Sequence, residues 1–230
     1  MADAMDSKSI SRKGVGVRLP SLAPAQELEE VRRAREFRCL TEELAPLLWA
    51  SLGARLGRAR FELSETLTAL RHERANALRD ECALARQEDL REQVRRAGWC
   101  LGVLGAGQGV DLLRARRERD GLRWLLGALA EARAFGLEPD ASELPQLARG
   151  TSMAFELPLL AAWCVLRASS SSARVRWRAE RASAGQRLVF ELGSGAEPAE
   201  LATRCARLNS ARPDAPHLAV GLGRLELAWL

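Results

Sequence analysis

The stretch RVRWRAERASAGQRLVFEL, residues 174–192, decides the fold class. Val175, Trp177 and Ala179 alternate with Arg174, Arg176, Arg178 and Glu180. Ala184-Gly185 then marks a turn, and Leu188 to Leu192 carry an apolar run. Strand side chains point to opposite faces in turn, so a period of two broken by a glycine predicts a β-hairpin. The chain upstream of it has a different period, and the contrast predicts an α+β protein.

Between Ala25 and Arg96 there is one proline, Pro46, and two glycines, Gly53 and Gly57, among residues that favour helix. Apolar residues recur at Leu40, Leu44, Leu47, Leu48, Leu52 and Leu56, then at Leu63, Leu67 and Leu70. A second stripe runs Leu90, Val94, Ala97, Leu101 and Leu104. Spacings of three and four place each set on one helical face. They predict a long helical hairpin over residues 25–110, its turn between about His72 and Glu88. Two helices bury too little alone, so the expected assembly is a homodimer with a four-helix bundle spanning Leu40–Leu104.

Residues 1–24 contain Ser, Gly, Pro and the basic Lys8, Arg12, Lys13 and Arg18 without periodicity, and they read as a flexible basic arm. Residues 111–230 read as a small α/β sandwich. Asp120 fits the start of a helix over Leu122–Phe135, which Gly136 and Pro139 stop. A second helix spans Phe155–Ala168 and ends at Ser169–Ser172. After the hairpin come a helix at about Ala199–Leu208 and strands at Leu218–Leu222 and Leu225–Leu230. Helices are expected on one face of an antiparallel or mixed sheet.

The 230 residues carry a net charge of +5, but only Lys8 and Lys13 are lysines, so arginine supplies nearly all the basic charge. The arginines are interleaved with glutamates, as in Glu27–Arg38, which reads as a solvated helix face with i,i+4 pairs. Nucleic-acid binding through the arm and the arginine-rich helices is therefore the alternative reading. No apolar run reaches the ~18 residues of a membrane span, and no signal-peptide core is present. Cys39, Cys82, Cys100, Cys164 and Cys205 stand singly, which predicts reduced, buried thiols in a cytoplasmic protein. The six tryptophans fall mostly on apolar faces. Trp177 and Trp229, on strands, are the candidates for a partner surface.

Several local stretches resemble one family in their order. Leu40-Thr41-Glu42-Glu43-Leu44-Ala45-Pro46-Leu47-Leu48-Trp49-Ala50-Ser51-Leu52-Gly53 is similar to the phosphoacceptor segment of two-component sensor histidine kinases. Asp120-Gly121-Leu122 through Arg133 resembles the first helix of their GHKL-type ATP-binding domain. Leu144-Pro145 and Arg149-Gly150-Thr151 sit where that family often has a short strand and a turn. Leu159–Ser169 resembles the helix bearing the magnesium-binding asparagine, and Glu191-Leu192-Gly193-Ser194-Gly195 resembles the adenine-reading Asp-x-Gly-x-Gly box. The resemblance covers roughly residues 34–230 and implies a dimerising helical hairpin followed by a degenerate GHKL-like domain.

The catalytic positions depart from the family. Glu42 stands where the phosphoacceptor histidine belongs, and Glu43 where the acid beside it belongs. A carboxylate lacks the imidazole nitrogen that stores the phosphoryl group. In the degenerate nucleotide pocket Leu160 and Cys164 replace asparagines, and neither offers magnesium a hard oxygen. Glu191 replaces Asp, Gly193 and Gly195 are kept, and Gly221-Leu222-Gly223 lies between strands rather than opening a helix. His72 reads as an exposed helical histidine, and His217 has no ligand partners nearby in sequence. The expectation is a protein with no enzymatic activity, no metal and no cofactor. The resemblance implies a dimeric adaptor in bacterial signalling, with a response-regulator receiver domain or another signalling protein as partner. The expected docking residues are Glu42, Glu43, Leu44, Pro46 and Leu47. Reversing both acids is expected to weaken capture and leave the melting temperature unchanged.

Overall fold

Unbroken runs of helix formers give way to alternating strands where the period changes, and the structure follows that division. The computed structural model describes residues 24–72, 81–106, 119–147, 155–171, 173–182, 185–193, 198–209 and 215–230. Helix α1 spans Pro24–His72 and α2 spans Glu81–Ala106, and the two pack on one another. Then follow α3 (Gly121–Arg133), β1 (Gly136–Glu138), α4 (Glu156–Ala168), β2 (Arg174–Ala182), β3 (Gly185–Glu191), α5 (Pro198–Leu208), β4 (His217–Gly221) and β5 (Arg224–Trp229). The fold is α+β, with a five-stranded mixed sheet ordered β1-β2-β3-β5-β4. The expected basic arm and the turn after His72 lie outside the described residues.

The sheet separates two environments. Along β2, β3 and β5 the pairs Trp177–Phe190, Phe190–Leu225 and Leu188–Leu227 share one face, which α4 and α5 cover. The intervening residues make a charged ladder on the opposite face. There Arg178 donates to Glu180 at 2.6 Å, Arg187 bonds Glu180 and also Glu226 at 3.1 Å, and Arg224 bonds Glu226 at 2.7 Å. Hydrogen bonds from Arg178 and Arg187 hold the Glu180 carboxyl below its usual value.

Two glycines are required by close approach. A Cβ on Gly121 would lie 2.4 Å from the Trp99 ring, and one on Gly185, whose φ is +153°, would lie 2.1 Å from the Trp229 carbonyl oxygen. The first lets α3 start against α2, and the second lets β3 start beside the end of β5.

Among the described residues one apolar cluster runs from Leu40 to Trp229, on both sides of the boundary expected near residue 110. Leu40, Leu44, Leu48 and Leu52 on α1 join Leu122 and Leu126 of α3 and Trp163 of α4 in it. Burying each such leucine contributes roughly 2 kcal/mol. These leucines were expected in a bundle between two chains, yet their partners include α3, α4 and α5 of the same chain.

Other local expectations are corrected. Helix α3 stops at Ala134, which adopts φ 52°, ψ 43°, with Phe135 N donating to Ala130 O at 3.1 Å, so Gly136 is not the stop. Gly136 instead opens β1, which pairs in parallel with β2 at Arg174–Arg176. The short strand expected at Leu144-Pro145 is absent there, where the chain has just left a 3-10 turn over Ala141–Glu143. Asp120 sits at the N-cap of α3, but its carboxylate makes no cap bond and accepts from Arg123 and Gln146. Trp177 and Trp229 are buried, and the Trp177 indole N–H donates to Pro139 O at 2.6 Å, so neither faces a partner. The exposed tryptophan is Trp49, at 46%.

Candidate functional site

Consecutive helical residues are turned about 100° from one another, and this splits the expected docking segment into two sides. Leu44 lies on the core side with no exposure. Glu43 faces α4 and α5. Its carboxylate accepts from the guanidinium of Arg167 at 2.7 Å and from that of Arg204 at 3.0 Å, and Arg204 also lies 3.3 Å from Glu36. One turn earlier Arg33 donates to Glu156 at 2.8 Å. Glu43 thus belongs to a set of ion pairs that fastens α1 to the sheet's helical layer. The sequence did carry a signal for this, since Glu36, Leu40 and Glu43 are spaced by four and three and share a face.

Glu42 and Pro46 stay exposed and Leu47 is half-buried. Glu42 approaches only Arg38, at 3.8 Å, in a pair that is largely exposed at both ends. Trp49 lies three residues beyond Pro46 and seven beyond Glu42, so all three share the outer face of α1. The surviving exposed segment is therefore Glu42, Pro46 and Trp49, with Leu47 at its margin. Sequence reading assigned Trp49 to the core because the neighbouring Leu48 and Leu52 belong there.

Among the described residues the family-like nucleotide positions are not gathered into one pocket. Leu160 and Cys164 are fully buried on α4, beneath the covered face of the sheet. Burial pushes the Cys164 thiol well above its usual value, with Cys205 nearby adding to the shift. Cys100 is likewise pushed up to about 12 and Cys205 to about 11, both by burial. A thiol held protonated this way is a poor nucleophile. Glu191 ends β3 one residue after buried Phe190, so it points to the opposite, charged face, 3.7 Å from Arg176. Gly193 follows the strand, while Gly195 lies outside the described residues. Gly221-Leu222-Gly223 forms the β4–β5 turn, with Gly223 at φ 67°.

Helix α1 ends at His72, whose side chain is outside the description. His217 opens β4, where its ring lies 3.1 Å from the Asn209 amide nitrogen. Among the described residues no group of His, Cys, Asp and Glu is placed to hold a metal ion, and no helix is long and apolar enough to cross a membrane. On the sheet's outer face Arg176, Arg178, Arg187 and Arg224 reach carboxylates, and on α2 Arg95 and Arg96 both reach Glu92. A separate cleft of about 740 Å³ opens between α1, α2 and α3. Sequence spacing gave no sign of it, because its walls come from three helices and a 3-10 turn. The sequence matches no family model, and no curated protein matches it.

Proposed function

We infer that the chain is a non-catalytic, histidine-kinase-like adaptor: a helical hairpin on a degenerate GHKL-like unit, acting as a homodimer. It docks a signalling partner of the response-regulator receiver kind. The observation that supports docking is the solvent-facing indole of Trp49, 46% exposed beside Pro46 and Glu42 on one face of α1. Exposed aromatic residues are the usual energetic anchors of interfaces, and an amphipathic partner helix fits such a helix face. The docking surface is accordingly Glu42, Pro46 and Trp49, not Glu43 and Leu44. The absence of turnover rests on Leu160 and Cys164, apolar or sulfur-bearing where magnesium needs oxygen, sealed inside the core.

The test immobilises the full chain, captures partners from native lysate and compares Glu42→Arg combined with Trp49→Ala. Capture of a receiver-domain protein should be lost while the melting temperature holds, since both side chains are exposed. Capture that survives the double variant, or that disappears on nuclease treatment, overturns the reading. In parallel, labelled ATP with magnesium should leave no acid-labile phosphate on the protein. Label that appears and is removed by His72→Ala would show a working kinase.

A further inference from the structure

The cleft between α1, α2 and α3, at about 740 Å³, falls in the ~300–1,000 Å³ range of small-molecule sites. Its floor is apolar and made of small groups: Leu52 from α1, Ala97 and Cys100 from α2, Gly127 and Ala128 from α3. The half-buried ring of Trp124 lines one side, with the Arg95 and Arg96 guanidinium carbons 5.0 and 6.0 Å from its centroid.

The charges at the rim decide what such a slot accepts. Its carboxylates are already engaged. Glu92 bonds Arg95 and Arg96, and those bonds hold its carboxyl below the usual value despite the opposing effect of burial. Asp120 bonds Arg123 and Gln146. Asp140 accepts the Ser142 backbone N–H at 2.9 Å. Glu131 pairs with Arg55 across the mouth, between α3 and α1. Arg58 follows Arg55 by three residues on the same face of α1, and among the described residues no carboxylate pairs with it. The Arg55–Glu131 pair is exposed at both ends, 44% and 56%. Exposed pairs contribute little, so a stronger anion can displace Glu131.

We propose that this cleft binds a small planar aromatic phosphate. Its ring lies on the Leu52, Ala97, Gly127 and Ala128 floor beside Trp124, and its phosphate meets Arg58 and Arg55. Guanidinium groups recognise phosphate through parallel charged hydrogen bonds, and the apolar floor supplies the area that a bare anion cannot use. The site is distinct from the positions that resemble a kinase nucleotide pocket, and it does not depend on the adaptor reading.

The test is calorimetric titration of the full chain with 1-naphthyl phosphate, inorganic phosphate and 1-naphthylmethylammonium. Naphthyl phosphate should bind, and the other two at least about tenfold more weakly, since each lacks one of the two required parts. Arg58→Gln should weaken naphthyl phosphate binding about tenfold. Gly127→Leu should abolish it while the protein stays folded. A Cβ at Gly127 meets no atom within 4 Å, and leucine favours helix over glycine. The proposal is overturned if naphthyl phosphate does not bind. It fails equally if the ammonium probe binds as tightly, or if folded Gly127→Leu or Arg58→Gln binds like the wild type.

Discussion

Reversing Glu43 to Arg should destabilise the protein, whereas reversing the adjacent Glu42 should not. Glu43 takes two guanidinium groups, at 2.7 and 3.0 Å, with 30% of its side chain exposed; Arg167 and Arg204 are 38% and 24% exposed. Charged hydrogen bonds contribute ~1.5–3 kcal/mol when well buried. Solvent screening at this depth reduces that to about 0.5–1 kcal/mol per pair. Arginine at 43 removes both pairs and adds a third cation beside two existing ones, for a total loss of about 2–3 kcal/mol. In a chain of this size each kcal/mol moves the melting temperature by ~2–4 °C, so the expected fall is roughly 5–10 °C. Glu42 meets only Arg38, at 3.8 Å with 63% and 58% exposure, and its reversal should cost no more than about 0.5 kcal/mol. Thermal melts followed by circular dichroism separate the two variants. In about 0.5 M salt the gap should narrow, because screening weakens the pairs that Glu43 makes. Equal melting temperatures for the two reversals, or a larger fall for Glu42→Arg, would refute the ion-pair fastening of α1 onto α4 and α5.

Ala134 closes α3 in the left-handed region at φ 52°, where a Cβ costs about 1 kcal/mol. Ala134→Gly should therefore raise the melting temperature by ~1–4 °C, and a fall would show that the terminus is not strained. In a Cys82→Ser background at pH 8, a thiol reagent should label half-buried Cys39 quickly and reach Cys100, Cys164 and Cys205 only on unfolding. Folding keeps the Cys100 thiol protonated up to about 12, against 9.0 for an ordinary thiol. The unfolded chain thus releases its proton first as pH rises. Stability should be complete below pH 9 and decline between about 9 and 12. Chemical-denaturation midpoints should fall less steeply across that window in Cys100→Ala than in the parent, with buried Cys164 and Cys205 keeping the remaining slope. Equal slopes would show that this thiol contributes nothing, and a parent without any slope would contradict the linkage.

The sequence alone determined the elements whose patterns are long and local. The change of period at Arg174 predicted β2 and β3, and leucine spacing predicted the helical stretches now seen as α1 and α3. Apolar runs bounded by serine or glycine predicted α4 and the β4–β5 pair. Local hydrogen bonding and one-sided burial are enough to write such elements into neighbouring residues. Three features were decided only in tertiary structure. Strand β1 is three residues long, and its ladder comes from β2, about forty residues further along. Glu42 and Glu43 are the same residue type side by side, and only the packing of α4 and α5 against one side of α1 makes one a solvent group and the other a clamp. For the same reason Leu44, expected both on an apolar helix face and in the docking surface, is held in the core, and Trp49 is left in solvent. An amphipathic pattern fixes that a helix has an apolar face, but which surface covers that face depends on contacts more than a hundred residues away, as between Glu43 and Arg204.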